Sequence, residues 1–404
     1  MQIRRCSILL IEPREKVAFD LDSLLSGGNG LSASIELLAL APHLPAEVAI
    51  NAAEAEVLGA VGATLWIEFT TLAEQFDGAL LHGLLQKGLL LTDASDVDDD
   101  KHAATRTRDE KLRAANWHAH SAVSHYFGRW QGVMSGESAT QAGYKTMSEL
   151  AERLGMPPPH VRERVSAEQR IALPDSAATS LDELLAQRVT CRNFDTTSML
   201  PLATFSRLLW RVFGAQAAVE IVKDNVVIKR TSPSGGGLHP TEAYLLVQRV
   251  EGIEPGLYHY HPIDHALEPL PTLDDGDLHA LAKCFVAAQT YYADAHVQVV
   301  LVSRFPRTFW KYRNHSKAYR VCVLDAGHLS QTLYISATEF GLGAFITAAM
   351  NEIDVEQALG LDELVESPIA ICGFGIRGSA CATIEFDPQH AVWTAEQVTA
   401  SSVP

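Results

Sequence analysis

Thr231-Ser-Pro-Ser-Gly-Gly-Gly-Leu-His-Pro-Thr-Glu-Ala-Tyr244 sets three consecutive glycines, two serines and two prolines between two apolar runs, Val226 to Ile228 and Ala243 to Val250. A packed core has no use for such a stretch. Triple glycine lets backbone N–H groups approach a planar or anionic ligand without Cβ interference, so the segment reads either as a cofactor cradle or as a surface turn. A second chemical pattern is Arg188-Val-Thr-Cys-Arg192. Two guanidinium forks four residues apart around a Thr can face one anion, although Arg-x-Thr-x-Arg is also a common surface pattern. A third is the adjacent pair Lys311-Tyr312, which taken alone is an amphipathic surface pair.

Histidines are less informative. His118, His120 and His125 lack the i, i+4 spacing of a helical zinc pair and no Cys or Glu completes a set, so a helix packed on a catalytic core is expected there. His259 and His261 fall on one face of an alternating strand, read as an ordinary sheet surface with no carboxylate nearby. The six cysteines show no Cys-x-x-Cys pair, the pattern of reduced thiols in a cytoplasmic protein.

Ser232-Pro-Ser-Gly-Gly-Gly-Leu-His-Pro240, Glu242-Ala-Tyr244 and Gly256-Leu-Tyr-His-Tyr260 resemble the SagB-type dehydrogenases, flavin enzymes of the nitroreductase superfamily that oxidise ribosomally made peptides. Five separated segments match in order over roughly residues 180 to 380. They include Lys-Tyr … Tyr-Arg … Asp-Ala-Gly-His-Leu-Ser-Gln … Gly-Leu-Gly-Ala, which ends near residue 344. The resemblance implies FMN as cofactor. It puts Arg188, Thr190, Arg192 and Arg377 at the flavin phosphate, and Pro233, Ser234, Gly235, Gly236, Gly237, Gly341, Leu342 and Gly343 along the rest of the cofactor. It ties Lys311 and Tyr312 to catalysis. Only one phosphate grip appears and no G-x-G-x-x-G fingerprint exists, so FMN is expected rather than FAD. The same resemblance implies a homodimer with flavin sites at its interface.

These residues need elements to position them. Pro201 opens a helix whose Phe205, Leu208, Leu209 and Val212 share one face and which Gly214 ends. Tyr258 to His261 and His296 to Val302 read as strands. Ala326, Leu329, Leu333, Ala337 and Phe340 mark a long helix stopped at Gly341 and Gly343. Ser367 to Gly375 closes the sheet, with Gly373 and Gly375 expected to admit a cofactor or a dimer partner. Adjacent strand residues point to opposite faces, so if Lys311 and Tyr312 act together their segment is a loop or a helix end.

Residues 1–92 read as an α+β module. Its start, Met1-Gln-Ile-Arg-Arg-Cys-Ser, is expected to be a strand and not a signal peptide. Thr71 to Glu74 is expected to be a capping box. Helix, helix and Gln86-Lys-Gly-Leu-Leu90 is the run of a winged helix. The module resembles leader-peptide recognition domains, with dimerisation or packing as the alternative. Thr92 to Asp109 reads as an acidic solvated linker and residues 110–175 as a helical connector broken at Met156-Pro-Pro-Pro-His160.

The 404 residues are 47% hydrophobic, enough for a large core. A formal net charge of -17 argues against nucleic acid, and no apolar run approaches the ~20 residues of a membrane span. The expectation is an α+β chain with a nitroreductase-like FMN fold over 176–395, a central mixed sheet flanked by helices. Its expected activity is FMN-dependent oxidation of a precursor peptide, azoline to azole, beside a cyclodehydratase partner. Alternatives are α,β-dehydrogenation of a peptide residue, an NAD(P)H-dependent nitro- or quinone reductase, and an inactive flavin-bearing scaffold.

Overall fold

The computed structural model describes residues 1–94, 100–135, 147–223, 225–271, 277–394 and 397. The chain forms two compact units. The first holds Met1–Arg129, Arg304–Val321 and Asp362–Ser367; the second holds the remainder.

In the first unit, β1 (Gln2–Arg5) runs into the ribbon β2 (Leu10–Phe19), α1 (Leu21–Leu25) and β3 (Leu31–Leu40). Then follow β4 (Val48–Ile50), α2 (Ala52–Ala60), β5 (Ile67–Glu68), α3 (Phe69–Ala73), α4 (Gly78–Gln86) and β6 (Leu90–Thr92). Two three-stranded sheets result, β5-β1-β6 and β2-β3-β4. Ile3, Leu58, Leu81, Leu84 and Leu89 form the core of the module. Thr71 lies inside α3, whose N-cap is Glu68, so the expected capping box is absent; the side-chain cap belongs instead to Asp77, which accepts from Ala79 N at the start of α4. Helix α2 carries a full capping box through Asn51 and Glu54.

Part of the expected acidic linker is helical. Residues 95–99, with Asp96, Asp98 and Asp99, lie outside the described residues, but α5 spans Asp100–Ala114. Asp109 is fully buried and pairs with Arg4 at 2.8 Å while accepting from Ser7 N at 2.6 Å. A like-charged run reads as solvated until one of its acids meets a buried cation, and Arg4 is 105 residues away in sequence. After α5, α6 (Ala119–Phe127) joins an aromatic cluster. Trp117 sits 4.5 and 4.8 Å from the rings of Phe305 and Phe309, and His125 stacks on Trp117 while meeting the Tyr319 hydroxyl at 3.1 Å. Burial pushes His125 down to about 3, so its imidazole is neutral.

The second unit begins with α7 (Met147–Leu154) and α8 (Ser180–Ala186). Pro201 caps α9 (Leu202–Phe213), one residue off the expected start, and Gly214 ends it. A hairpin of β7 (Ala217–Val222) and β8 (Asn225–Lys229) precedes the glycine segment. The main sheet takes β9 (Thr241–Val247), β10 (Gly256–His261), β11 (Ala266–Pro269), β12 (Val297–Arg304), β13 (Gly343–Thr347) and β14 (Glu366–Gly375) in the order β11-β10-β9-β12-β14-β13. Helices α10 (Leu278–Phe285), α11 (Thr290–Ala293), α13 (Ala318–Glu339) and α14 (Glu352–Leu359) complete the set. The five-residue α12 (Phe305–Phe309) belongs to the first unit. Alternation sorts the strands onto two cores: Val297, Val299 and Leu301 join α9 and α13, while Val300 and Val302 join α10 and α14. Among the described residues, no helix is long and apolar enough to cross a membrane.

Candidate active site

Helix α13 holds the glycine segment. Gly235–Gly237 form a tight turn in which Gly236 and Gly237 adopt φ of 68° and 71°, values that a Cβ disfavours. Asp325 clamps the turn: its carboxylate accepts from Ser234 Oγ at 2.5 Å and from Gly235 N at 3.1 Å, and Ser234 Oγ accepts in turn from His239 N at 2.9 Å. Burial raises the Asp325 pKa, partly offset by those two donors. Seven residues further along the helix, Thr332 meets the Ser232 hydroxyl at 2.7 Å. A Cβ on Gly237 would meet nothing within 4 Å, so the turn presents an open face.

The same helix reaches the arginine pattern through Tyr334, about 14 Å along its axis from Asp325 at the standard rise. The Tyr334 hydroxyl bonds Thr190 Oγ1 at 3.0 Å, and the Arg188 guanidinium lies 5.4 Å from the Tyr334 ring centroid. Among the described residues Arg188 has no ionic partner, and it is half-buried. A half-buried cation beside a hydroxyl, with donors to spare, fits a phosphate. Arg192 is more committed, its side chain giving one donor to the Ile384 carbonyl at 3.0 Å. Arg377 donates to Glu385 at 2.8 Å and to the Val189 carbonyl at 2.9 Å, so its charge is balanced within the protein.

Glu385 is the residue that sequence reasoning missed. Its side chain is fully buried and accepts from Arg192 N, Asn193 N, Asn193 Nδ2, Trp393 Nε1 and Arg377. It ties the segment around Trp393 to the arginine pattern, and no local spacing signals this. Asp325 was visible within the Asp-Ala-Gly-His match, but its hold on the glycine turn was not.

Three expectations change. A Cβ on Gly373 would meet the Phe345 ring at 2.1 Å, and one on Gly375 would meet His296 Nδ1 at 2.3 Å, so both glycines make room for the protein's own side chains. Gly343 likewise packs on Cys191 Sγ, 2.4 Å from an added Cβ, whereas Gly341, at φ 70°, faces open space beside Leu342. His259 does have carboxylates beside it: Glu242 lies 3.0 Å from Nε2 and Glu268 2.6 Å from Nδ1. Pairing of β9 and β11 on either side of β10 brings them there, and the Glu242 hydrogen bond, ahead of that from Glu268, raises the His259 pKa.

Lys311 and Tyr312 lie in the first unit. They follow α12 as a helix end and turn, both backbone N–H groups donating to the Thr308 carbonyl at 3.2 and 3.1 Å. Lys311 Nζ stands 5.6 Å from the Tyr312 ring centroid. Asn314, at φ 52°, donates its N–H to the Asn116 carbonyl at 3.0 Å, which fastens the turn to the end of α5.

The profile of the Nitroreductase family matches residues 185–376, which takes in the glycine turn and the arginine pattern. MJ1384 of Methanocaldococcus jannaschii, named as a nitroreductase, is 30% identical over 193 residues, 48% of this chain and 90% of its own length. On that footing the chain belongs to the nitroreductase family, a family of oxidoreductases. It is also 28% identical over 196 residues to the microcin B17-processing protein McbC of Escherichia coli, covering 45% of this chain and 65% of McbC. A third relative is the trifolitoxin-processing protein TfxB of Rhizobium leguminosarum bv. trifolii, 31% identical over 145 residues, 35% of this chain and 38% of TfxB.

Proposed function

We propose that this chain is an FMN-dependent dehydrogenase that oxidises a ribosomally made precursor peptide, azoline to azole. The observation that carries the reading is Arg188, without an ionic partner among the described residues, beside Thr190 and joined through α13 to a glycine turn with an open face. Similarity to two proteins named for processing microcin B17 and trifolitoxin supports a peptide substrate. Arg188 and Thr190, with Arg192 and Arg377 behind them, would hold the phosphate. Pro233 to Gly237, with Gly341 and Leu342, would line the rest of the FMN, Gly343 being packed on Cys191. FMN, when bound, supplies the two-electron acceptor. The chain itself then binds the peptide and takes the proton released from carbon. Lys311 and Tyr312, whose side chains lie side by side with Nζ 5.6 Å from the ring centroid, are assigned that proton. The active form is a homodimer working with a cyclodehydratase, and residues 1–92, the winged-helix-like module, bind the precursor's leader.

The test is a reconstitution. Chain loaded with FMN should convert a synthetic azoline-containing peptide to the azole with oxygen as final acceptor. Lys311→Ala and Tyr312→Phe should keep FMN and lose turnover by roughly 10²–10⁴-fold. Rapid flavin reduction by NADH without any change in the peptide would replace this reading with a nitro- or quinone reductase. A protein that takes up no FMN would end the flavin reading altogether.

A further inference from the structure

Lys311 and Tyr312 sit on a largely exposed turn, and such a turn keeps two side chains together only where its backbone is fixed. Its beginning is fixed by α12, whose Thr308 carbonyl accepts from Lys311 N at 3.2 Å and Tyr312 N at 3.1 Å. Phe305 and Phe309 of that helix pack on Trp117, their ring centroids 4.5 and 4.8 Å away. Its end runs into α13 at Tyr319, whose ring lies 5.8 Å from the same Trp117 and whose hydroxyl meets His125 at 3.1 Å. Both ends of the turn therefore rest on one aromatic cluster.

The middle of the turn has one tether. Asn314 N donates to the Asn116 carbonyl at 3.0 Å, and among the described residues this is the one distant bond that the backbone of 311–317 makes. Both asparagines are left-handed, with φ of 59° at Asn116 and 52° at Asn314. In that conformation Asn116 ends α5, its N–H reaching back to the Arg113 carbonyl at 3.1 Å, and turns the chain into Trp117. Trp117 is 3% exposed and donates its indole N–H to the Leu364 carbonyl at 3.3 Å, which leaves the Asn116 carbonyl just before it little freedom. Asn enters the left-handed region more readily than most residues that carry a Cβ, and a β-branched residue there is an outlier. Two left-handed residues bonded backbone to backbone thus fix the chain two residues past Tyr312.

We propose that Asn116 and Asn314 are positioning residues, a junction of two left-handed backbones that holds Lys311 Nζ and the Tyr312 ring in their 5.6 Å arrangement. The proposal rests on the assignment of the released proton to that pair. Neither asparagine side chain is needed for the transfer: Asn314 is exposed, and Asn116 spends its amide on the Ala114 carbonyl at 2.8 Å. The corner between α5 and α6, expected to be plain connector, becomes the support of the proton-handling turn.

The test separates backbone conformation from side-chain loss at residue 314 of the full-length chain loaded with FMN. Asn314→Val puts a β-branched residue at positive φ and should lower kcat on the azoline peptide by about 10²-fold with KM unchanged, the effect that a misplacement of about 1 Å produces. Asn314→Ala should fall between, and Asn314→Gly, which accepts positive φ freely, should recover most of the turnover. In a Tyr312→Phe background the loss caused by Asn314→Val should shrink to about two-fold, since a residue that acts through Tyr312 then has little left to position. Hydrogen exchange over residues 311–316, followed without substrate and well below the Tm of each variant, should quicken in Asn314→Val and return toward wild type in Asn314→Gly. Wild-type kcat in Asn314→Val, the same fold-loss with and without the Tyr312 hydroxyl, or unchanged exchange overturns the proposal. So does a Gly variant as slow as the Val variant, because the side chain and not the backbone would then matter. A wild type that leaves the peptide unoxidised ends the dehydrogenase reading by itself, and exchange then decides for the junction: faster exchange in Asn314→Val keeps it, and unchanged exchange overturns it.

Discussion

Asp325→Ala removes both bonds that fix the glycine turn, to Ser234 Oγ at 2.5 Å and to Gly235 N at 3.1 Å. Bonds to a charged acceptor contribute about 1.5–3 kcal/mol each. Burial offsets much of that, because the Asp325 pKa is raised in spite of both donors. A net cost of about 1–2 kcal/mol remains, spent on ordering a turn with two residues at positive φ. If FMN binding must supply that ordering, its affinity should fall by about 5–30-fold. Asp325→Asn should fall between, since the amide oxygen can still accept from Gly235 N while the Ser234 hydroxyl, already accepting from His239 N, loses its acceptor. Quenching of FMN fluorescence on titration measures the affinity, with Tm followed alongside. Ser234→Ala closes a double-mutant cycle, in which the two substitutions should be coupled by at least about 0.5 kcal/mol. A lowered Tm with FMN affinity unchanged in all three variants would refute the argument, because the clamp would then serve the fold alone.

Arg188→Ala should weaken FMN binding by about 1.5–3 kcal/mol through loss of a charge-assisted contact, read from the same titration; unchanged affinity removes Arg188 from the site. Glu385→Gln leaves Arg377 without its buried partner and should cost about 3–5 kcal/mol in chemical denaturation. Limited proteolysis should then open the segment beyond Arg377 first. For His259 the folded-state pKa is raised above 6.5, so the stability its imidazolium contributes is fully present below that pH and is lost as pH rises through the folded value. The Tm difference between wild type and His259→Gln should therefore be largest on the acid side and shrink as pH increases; a difference that grows with pH would contradict the Glu242–His259–Glu268 pairing.

Much of the second unit was legible because its signals are local. The 3.6-residue spacing of Phe205, Leu208, Leu209 and Val212 marks α9, a short valine-rich apolar run marks the buried β12, and triple glycine marks a turn wherever it stands. The same holds for the α4–β6 run, where Gly88 breaks the helix and three leucines follow. Those features depend on neighbours a few residues away. Charge does not. The sequence shows Arg377 as a free cation and Asp109 as one of a solvated run; the tertiary structure folds Glu385 against the Arg377 guanidinium and the backbone N–H of Arg192, 193 residues away, and sets Arg4, 105 residues away, against Asp109. It likewise decides that Asp325 clamps a turn 91 residues earlier, and that His259 lies between two glutamates. A side chain's periodicity tells which way it points. Whether its charge is left to a ligand depends on which distant backbone the fold brings within about 3 Å, and no spacing in the chain encodes that distance.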